Sequence, residues 1–300
     1  MTLQAGHEAV VSVAVATLWA GPDAVRPVDE PALAVPSRNR AWIAGMTPDD
    51  RAALDHRTLT QLLLGERVRV EEVADGWVKV IAAEQPAAKL DKRGYPGWLP
   101  VGQVSAAEAP AGTPYMVDAA ATALRDEPDG DVVVAGVVIG TRLVAIGAPQ
   151  RGWVPVAVPG AGDLVWARLR DLVPVPDRRP APAEVLGVAE RLIDVPYIWG
   201  GLSAFGLDCS GLVHLAHRRL GVAVPRDADD QYDAAKEIAL DEARPGDLYF
   251  FANEGRPVHH VGFVAGDGRM VHACANHGRA VLEPIAGERA DTLTGARRFV

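Results

Sequence analysis

At 300 residues the chain has room for two or three domains. Its 49% hydrophobic content is ample material for their cores. A net charge of −9 argues against a nucleic-acid surface and against a general binder of anionic membranes. With only Cys209 and Cys274 present, a disulfide framework is not what stabilises the fold.

The apolar run from Ala9 to Ala20 resembles a signal-peptide core in composition. Positions 1–8, however, carry no Lys or Arg and include Glu8. The alternation of Val11, Val13 and Val15 with Ser12, Ala14 and Ala16 fits a strand better. No stretch reaches the ~18 apolar residues of a membrane span. The expected location is cytoplasmic rather than secreted or periplasmic.

The first half repeats itself. Ala16-Thr17-Leu18-Trp19 is echoed by Ala121-Thr122-Ala123-Leu124, and Asp75-Gly76-Trp77-Val78-Lys79-Val80 by Arg151-Gly152-Trp153-Val154-Pro155-Val156. Leu63 to Val70 likewise matches Val138 to Ala145. Short period-2 runs punctuated by Gly, Pro and Asp predict two small all-β barrels, over 1–108 and 109–174. The first copy carries an insert at about 30–60. Within it Thr47 reads as a helix N-cap, Pro48 as N1 and Asp50 as N3. Residues 175–183 are proline-rich and read as a semi-rigid linker.

The last unit, 184–300, begins with a helical face at Val185, Val188, Ala189 and Leu192. A second helix is predicted from about Cys209 to Leu220, ended by Gly221. Short β segments follow, so helices first and strands afterwards predict an α+β fold with antiparallel strands. Cys209 sits at the mouth of its helix, where unpaired N–H groups and the helix dipole favour a thiolate. Downstream lie His260 and His272. Nucleophile, base and orienting group are the parts of covalent catalysis. On a strand His259 and His260 face opposite ways, and only one can meet Cys209. Tyr197 and the Cys209 backbone N–H are candidate oxyanion donors. Cys274 shares a strand face with His272 and reads as a small core residue. No His-x-x-x-His or Cys-x-x-Cys pair occurs, so no metal is expected, and no phosphate loop suggests a nucleotide cofactor.

Six motifs occur in one order: Pro196-Tyr197-Ile198-Trp199-Gly200-Gly201, Asp208-Cys209-Ser210-Gly211-Leu212, Pro225-Arg226-Asp227, Arg244-Pro245-Gly246-Asp247, His260-Val261-Gly262 and Val271-His272-Ala273. In this the last 120 or so residues resemble the NlpC-type cell-wall cysteine peptidases, which are papain-like. The first half resembles tandem bacterial Src-homology-3-like barrels. Together they are similar to γ-D-glutamyl-L-diamino-acid endopeptidases. That resemblance implies Cys209 as nucleophile, His260 as base and His272 as orienter, with no cofactor. It implies that Glu66 and Asp208 pair with the ammonium of an N-terminal L-alanine, with hydrogen bonds from Tyr95 and Ser210. The implied partner is a small free muropeptide, not nucleic acid or membrane. Ala228 departs from the hydroxyl residue that many relatives place after Pro-Arg-Asp. Two other readings fit parts of the pattern: a peptidoglycan-binding protein with a spent peptidase scaffold, or an acyltransferase using the same acyl-enzyme.

Overall fold

The computed structural model describes residues 3–107, 110–160 and 164–300. Its first seven strands form one antiparallel sheet: Glu8–Val11, Val15–Trp19, Thr58–Leu63, Arg67–Ala74, Trp77–Ala82, Tyr95–Pro100 and Val104–Ala106. Numbered by their place in the chain, they lie side by side as third, second, sixth, fifth, fourth, first, seventh. The next seven strands, Thr113–Val117 to Leu172–Pro174, repeat that order. Trp77 and Trp153, the repeated Gly-Trp pair, each open the fifth strand of their sheet. The internal repeat is therefore a repeat of topology. Alternating inward residues give each sheet its own core, Val68, Val70, Val78, Val80 and Leu99 in the first and Leu124, Leu143, Val154, Val156 and Ala167 in the second.

The insert folds as three short helices, Glu30–Leu33, Asn39–Gly45 and Pro48–Ala52. The last begins as its sequence dictates. Thr47 Oγ1 accepts from Asp50 N–H at 3.1 Å, and Asp50 accepts back from Thr47 N–H at 3.0 Å. The insert buries Trp42, Ile43 and Leu54 against Trp19 and against Ile198, beside Tyr197.

In the third unit the first helix is Pro182–Glu190, starting inside the segment read as linker because Pro182 serves as its N1 residue. The second helix, Cys209–Arg219, is buried on every side but two residues, as expected of a core helix. A short helix, Ala228–Ala234, was not legible in its acid-rich sequence. Six antiparallel strands then form one sheet in the order Lys236–Ile238, Leu293–Arg298, Leu248–Phe251, His260–Gly266, Arg269–Cys274, Arg279–Pro284. The helices pack on it through Val185, Leu212, Leu215, Phe250, Val261 and Phe263. That core also takes in Val15 and Leu63 of the first sheet and Val138 and Ile139 of the second. Among the described residues no helix is long and apolar enough to cross a membrane.

Candidate active site

Asp208 is the N-cap of the nucleophile helix. Its Oδ1 accepts from Gly211 N–H at 2.6 Å and from Ser210 Oγ at 3.2 Å, and Oδ2 accepts from Gly200 N–H at 2.9 Å. Gly211 is obligatory here, since a Cβ would sit 2.1 Å from Gly201 O. These constraints fix Cys209 at the first helical position, bordering a cavity of about 1000 Å³. His260, Tyr197, Tyr95 and Asp227 border the same cavity.

His260 starts one strand and His272 lies on the next. His260 Nε2 is 2.7 Å from His272 Nδ1, and His272 Nε2 is 2.7 Å from Glu283 Oε1. Gly262 makes room for this crossing, because a Cβ there would lie 2.9 Å from His272 Cβ. The direction of the chain follows from its end. Glu283 only accepts, so His272 carries its proton on Nε2 and accepts at Nδ1 from His260 Nε2–H. His260 Nδ1 is then the ring nitrogen left outside this relay. Burial raises Glu283, but hydrogen bonds from His272 and His277 outweigh it and hold the carboxyl below its ordinary range. Burial, aided by His272 and Arg289, lowers the His260 pKa well below normal. Burial brings His272 down to about 4 against the opposing bond from Glu283.

The helix terminus does not make Cys209 a resting thiolate, contrary to the expectation from its position. Burial, reinforced by Asp208, pushes the thiol up to about 12, outweighing the N–H groups of Val261 and Ser210 that point at it. Val261 follows His260 directly, so the thiol lies at the start of the strand that carries the base. His259, by contrast, is exposed. Tyr197 stays a phenol, its pKa raised by burial and by Cys209, so it retains a proton to donate.

Two expected amine ligands are corrected. Glu66 is buried and borders no part of the cavity. It accepts from Leu63 N–H at 3.0 Å and Gln85 Nε2 at 2.7 Å, and pairs with Arg218 at 3.3 Å. It lies in a turn between strands rather than on a solvated edge, and the turn faces the nucleophile helix. Asp208 does border the cavity, but its lone pairs are taken. Besides the three bonds above it receives Arg226 Nη1 at 3.0 Å and Nη2 at 2.7 Å. Ser210 Oγ is likewise held by Arg226, at 2.9 Å. The fully buried Arg226 also donates to Thr60 at 2.7 Å, tying the first sheet to the nucleophile.

Tyr95 does reach the cavity, and its hydroxyl donates to Asp227 Oδ2 at 2.9 Å. Asp227 is the carboxylate the sequence reading missed, although Pro-Arg-Asp was in view. Burial lifts it to about 6, against Arg226 and the Tyr95 bond. Glu283 was missed too; its signal was its spacing, two residues past Val281, the partner of His272 across the strands, and so on the same face. Among the described residues, His272, Cys274 and Glu283 are the side chains close enough to share a metal, their ligand atoms lying within 4.8 Å of one another. Two of them already bond each other, and the Arg289 guanidinium stands 4.0 Å from Cys274 Sγ, which opposes a resident cation.

Comparison with known proteins agrees with this geometry. Residues 194–298 match the model of the NlpC/P60 family. The chain is 35% identical over 267 residues to the Gamma-D-glutamyl-L-lysine dipeptidyl-peptidase of Bacillus subtilis (strain 168), covering 87% of this chain and 88% of that protein. The chain belongs to the NlpC/P60 family. A protein of the same name from Bacillus cereus (strain ATCC 10987 / NRS 248) is 31% identical over 98% of this chain and 91% of its own. The crystal structure of an NlpC/P60 family protein from Bacillus cereus ATCC 10987 superposes with a TM-score of 0.90 at 31% identity, covering 97% of this chain and 99% of that one. As a family member the chain is a cysteine peptidase.

Proposed function

We propose that this protein is a cysteine endopeptidase that hydrolyses the bond between γ-D-glutamate and a diamino acid in free muropeptides bearing an N-terminal L-alanine. The names of its Bacillus relatives point to the bond. One observation carries the requirement for a free amine: Tyr95 and Asp227, from two different units, meet in the cavity that holds Cys209. Asp229 is already paired with Lys89 at 2.9 Å, Glu283 with two histidines, and Asp208 with Arg226. Among the described residues the one side-chain hydrogen bond to Asp227 comes from the neutral Tyr95 phenol, and Asp227 meets an incoming ammonium. An acylated N-terminus would bury that carboxylate without the ammonium that offsets its desolvation.

His260 Nδ1 takes the Cys209 proton as sulfur attacks the γ-carbonyl. Tyr197 O–H and the Cys209 N–H face the developing oxyanion. His260 then protonates the leaving amine, and water, activated by the same ring, releases L-Ala-D-Glu. His272 and Glu283 keep the His260 proton on Nε2 throughout. In this reading the two seven-stranded sheets are Src-homology-3-like barrels, over 1–108 and 109–174. The first carries a wall of the specificity pocket, 175–183 link to the peptidase unit 184–300, and the enzyme works in the cytoplasm on recycled wall peptides.

Incubation of the purified protein with L-Ala-γ-D-Glu-L-Lys, followed by mass analysis, tests the reaction. Wild type is expected to yield L-Ala-D-Glu and lysine, and Cys209→Ala neither. No cleavage by wild type, or undiminished cleavage by the variant, overturns it.

A further inference from the structure

The cavity is rich in acids, yet among the described residues one Lys or Arg borders it, Arg289. It lies in the short helix Glu288–Asp291. The guanidinium stacks over Phe251, 5.3 Å from the ring centroid, and Nη2 approaches Cys274 Sγ at 4.0 Å. Phe251 in turn leans on His260, with centroids 5.6 Å apart. Arg289 forms no ion pair with any carboxylate among the described residues. It is a stacked cation, held beside the catalytic base and left without a counter-ion.

That position has a chemical consequence. His260 must become an imidazolium during the reaction, and a bare cation at its flank opposes this. An anion arriving with the substrate removes the opposition. The geometry of the reaction says which part of the substrate brings it. His260 hands its proton to the leaving amine, so the leaving residue lies against His260, on the side where Arg289 stands. A leaving diamino acid carries a carboxylate.

We propose that Arg289 binds a carboxylate of the leaving diamino acid, forming a subsite opposite the Tyr95–Asp227 amine pocket. This rests on the function proposed above and adds which part of the leaving group is read. Two carboxylates share the chemistry: the α-carboxylate of any C-terminal diamino acid, and the side-chain carboxylate that diaminopimelate has and lysine lacks. A guanidinium fixed by stacking presents its N–H edge to either in a two-point contact.

Four peptides decide: L-Ala-γ-D-Glu-L-Lys and L-Ala-γ-D-Glu-meso-diaminopimelate, each with a free and with an amidated α-carboxyl. If the α-carboxylate is read, amidation lowers wild-type kcat/KM on both by on the order of 10- to 100-fold. If the side-chain carboxylate is read, diaminopimelate is preferred over lysine by a similar factor. In either case Arg289→Met abolishes the discrimination while the disfavoured peptides are still cleaved, which shows the variant is folded. Arg289→Lys keeps the charge and restores part of the preference. Wild-type kcat/KM that is the same on all four peptides overturns the subsite, a comparison that needs no variant. So does an Arg289→Met variant that retains the wild-type ratios. Failure of wild type to cleave any of the four overturns the proposed function itself, and the subsite with it.

Discussion

Burial disfavours the charged form of both Cys209 and His260. Burial holds the thiol at about 12 and the imidazole well below its usual range. The pH dependence of binding is expected to follow Asp227, which borders the cavity. Its carboxyl ionises at about 6, neutral below that pH and charged above it. Only the charged form attracts an ammonium, so KM is expected to fall as pH rises through about 6. Asp227→Asn should raise KM and flatten that limb, as a KM–pH profile on the free tripeptide will show. Glu283 acts through His272. Glu283→Gln, with an amide able to donate toward His272, unsettles the order of protons along the chain. It should cut kcat by at least ~10-fold with little change in KM, and a steady-state comparison of the two constants separates this from a binding defect. The sequence named the thiol and both rings because each sits in a short local motif. It did not reveal that Asp208 is saturated, because its partner Arg226 lies 18 residues away, nor that Asp227 borders the cavity beside Tyr95.

At the scale of elements, the nucleophile helix is the piece everything else positions. Asp208 caps it, Arg226 locks Asp208, and Thr60 holds Arg226 from the first sheet. Removing Asp208 strands a fully buried guanidinium, which costs about 3–5 kcal/mol. Asp208→Ala is therefore expected to lower the denaturation midpoint sharply in a guanidinium titration, as well as lowering activity. Boundaries legible in the sequence were those with chemical punctuation, such as Thr47-Pro48 at one helix and Asp208 at another. The helix Ala228–Ala234 lacked it. Its Asp227 N-cap makes no side-chain cap bond. The fourteen strands of the two sheets were legible as a repeat because Gly-Trp recurs at equivalent turns.

For the whole molecule, the three units behave as one. Val15, Leu63, Val138 and Ile139 complete the peptidase core. Arg218, on the nucleophile helix, reaches Glu66 of the first sheet at 3.3 Å and Gly140 O of the second at 3.0 Å. Glu66 thus stands at a three-way junction, where burial raises its pKa and Arg218 opposes the rise. The sequence placed Glu66 in the first unit but could not show which surface of that unit meets the peptidase. Arg218→Met leaves Glu66 buried without its cation, a change of about 3–5 kcal/mol. A lower melting temperature is expected, with the preference for a free over an acetylated N-terminus intact. A fragment of residues 182–300 would expose the apolar surface covered by those four side chains and would lack Tyr95. It is expected to aggregate or to melt far below the full chain in a thermal scan.

The most direct test compares kcat/KM of the full-length enzyme on L-Ala-γ-D-Glu-L-Lys and on its N-acetylated form near neutral pH. The Tyr95–Asp227 pocket predicts release of L-Ala-D-Glu from the free peptide and a loss of at least ~100-fold on acetylation. Equal cleavage of the two peptides would contradict it.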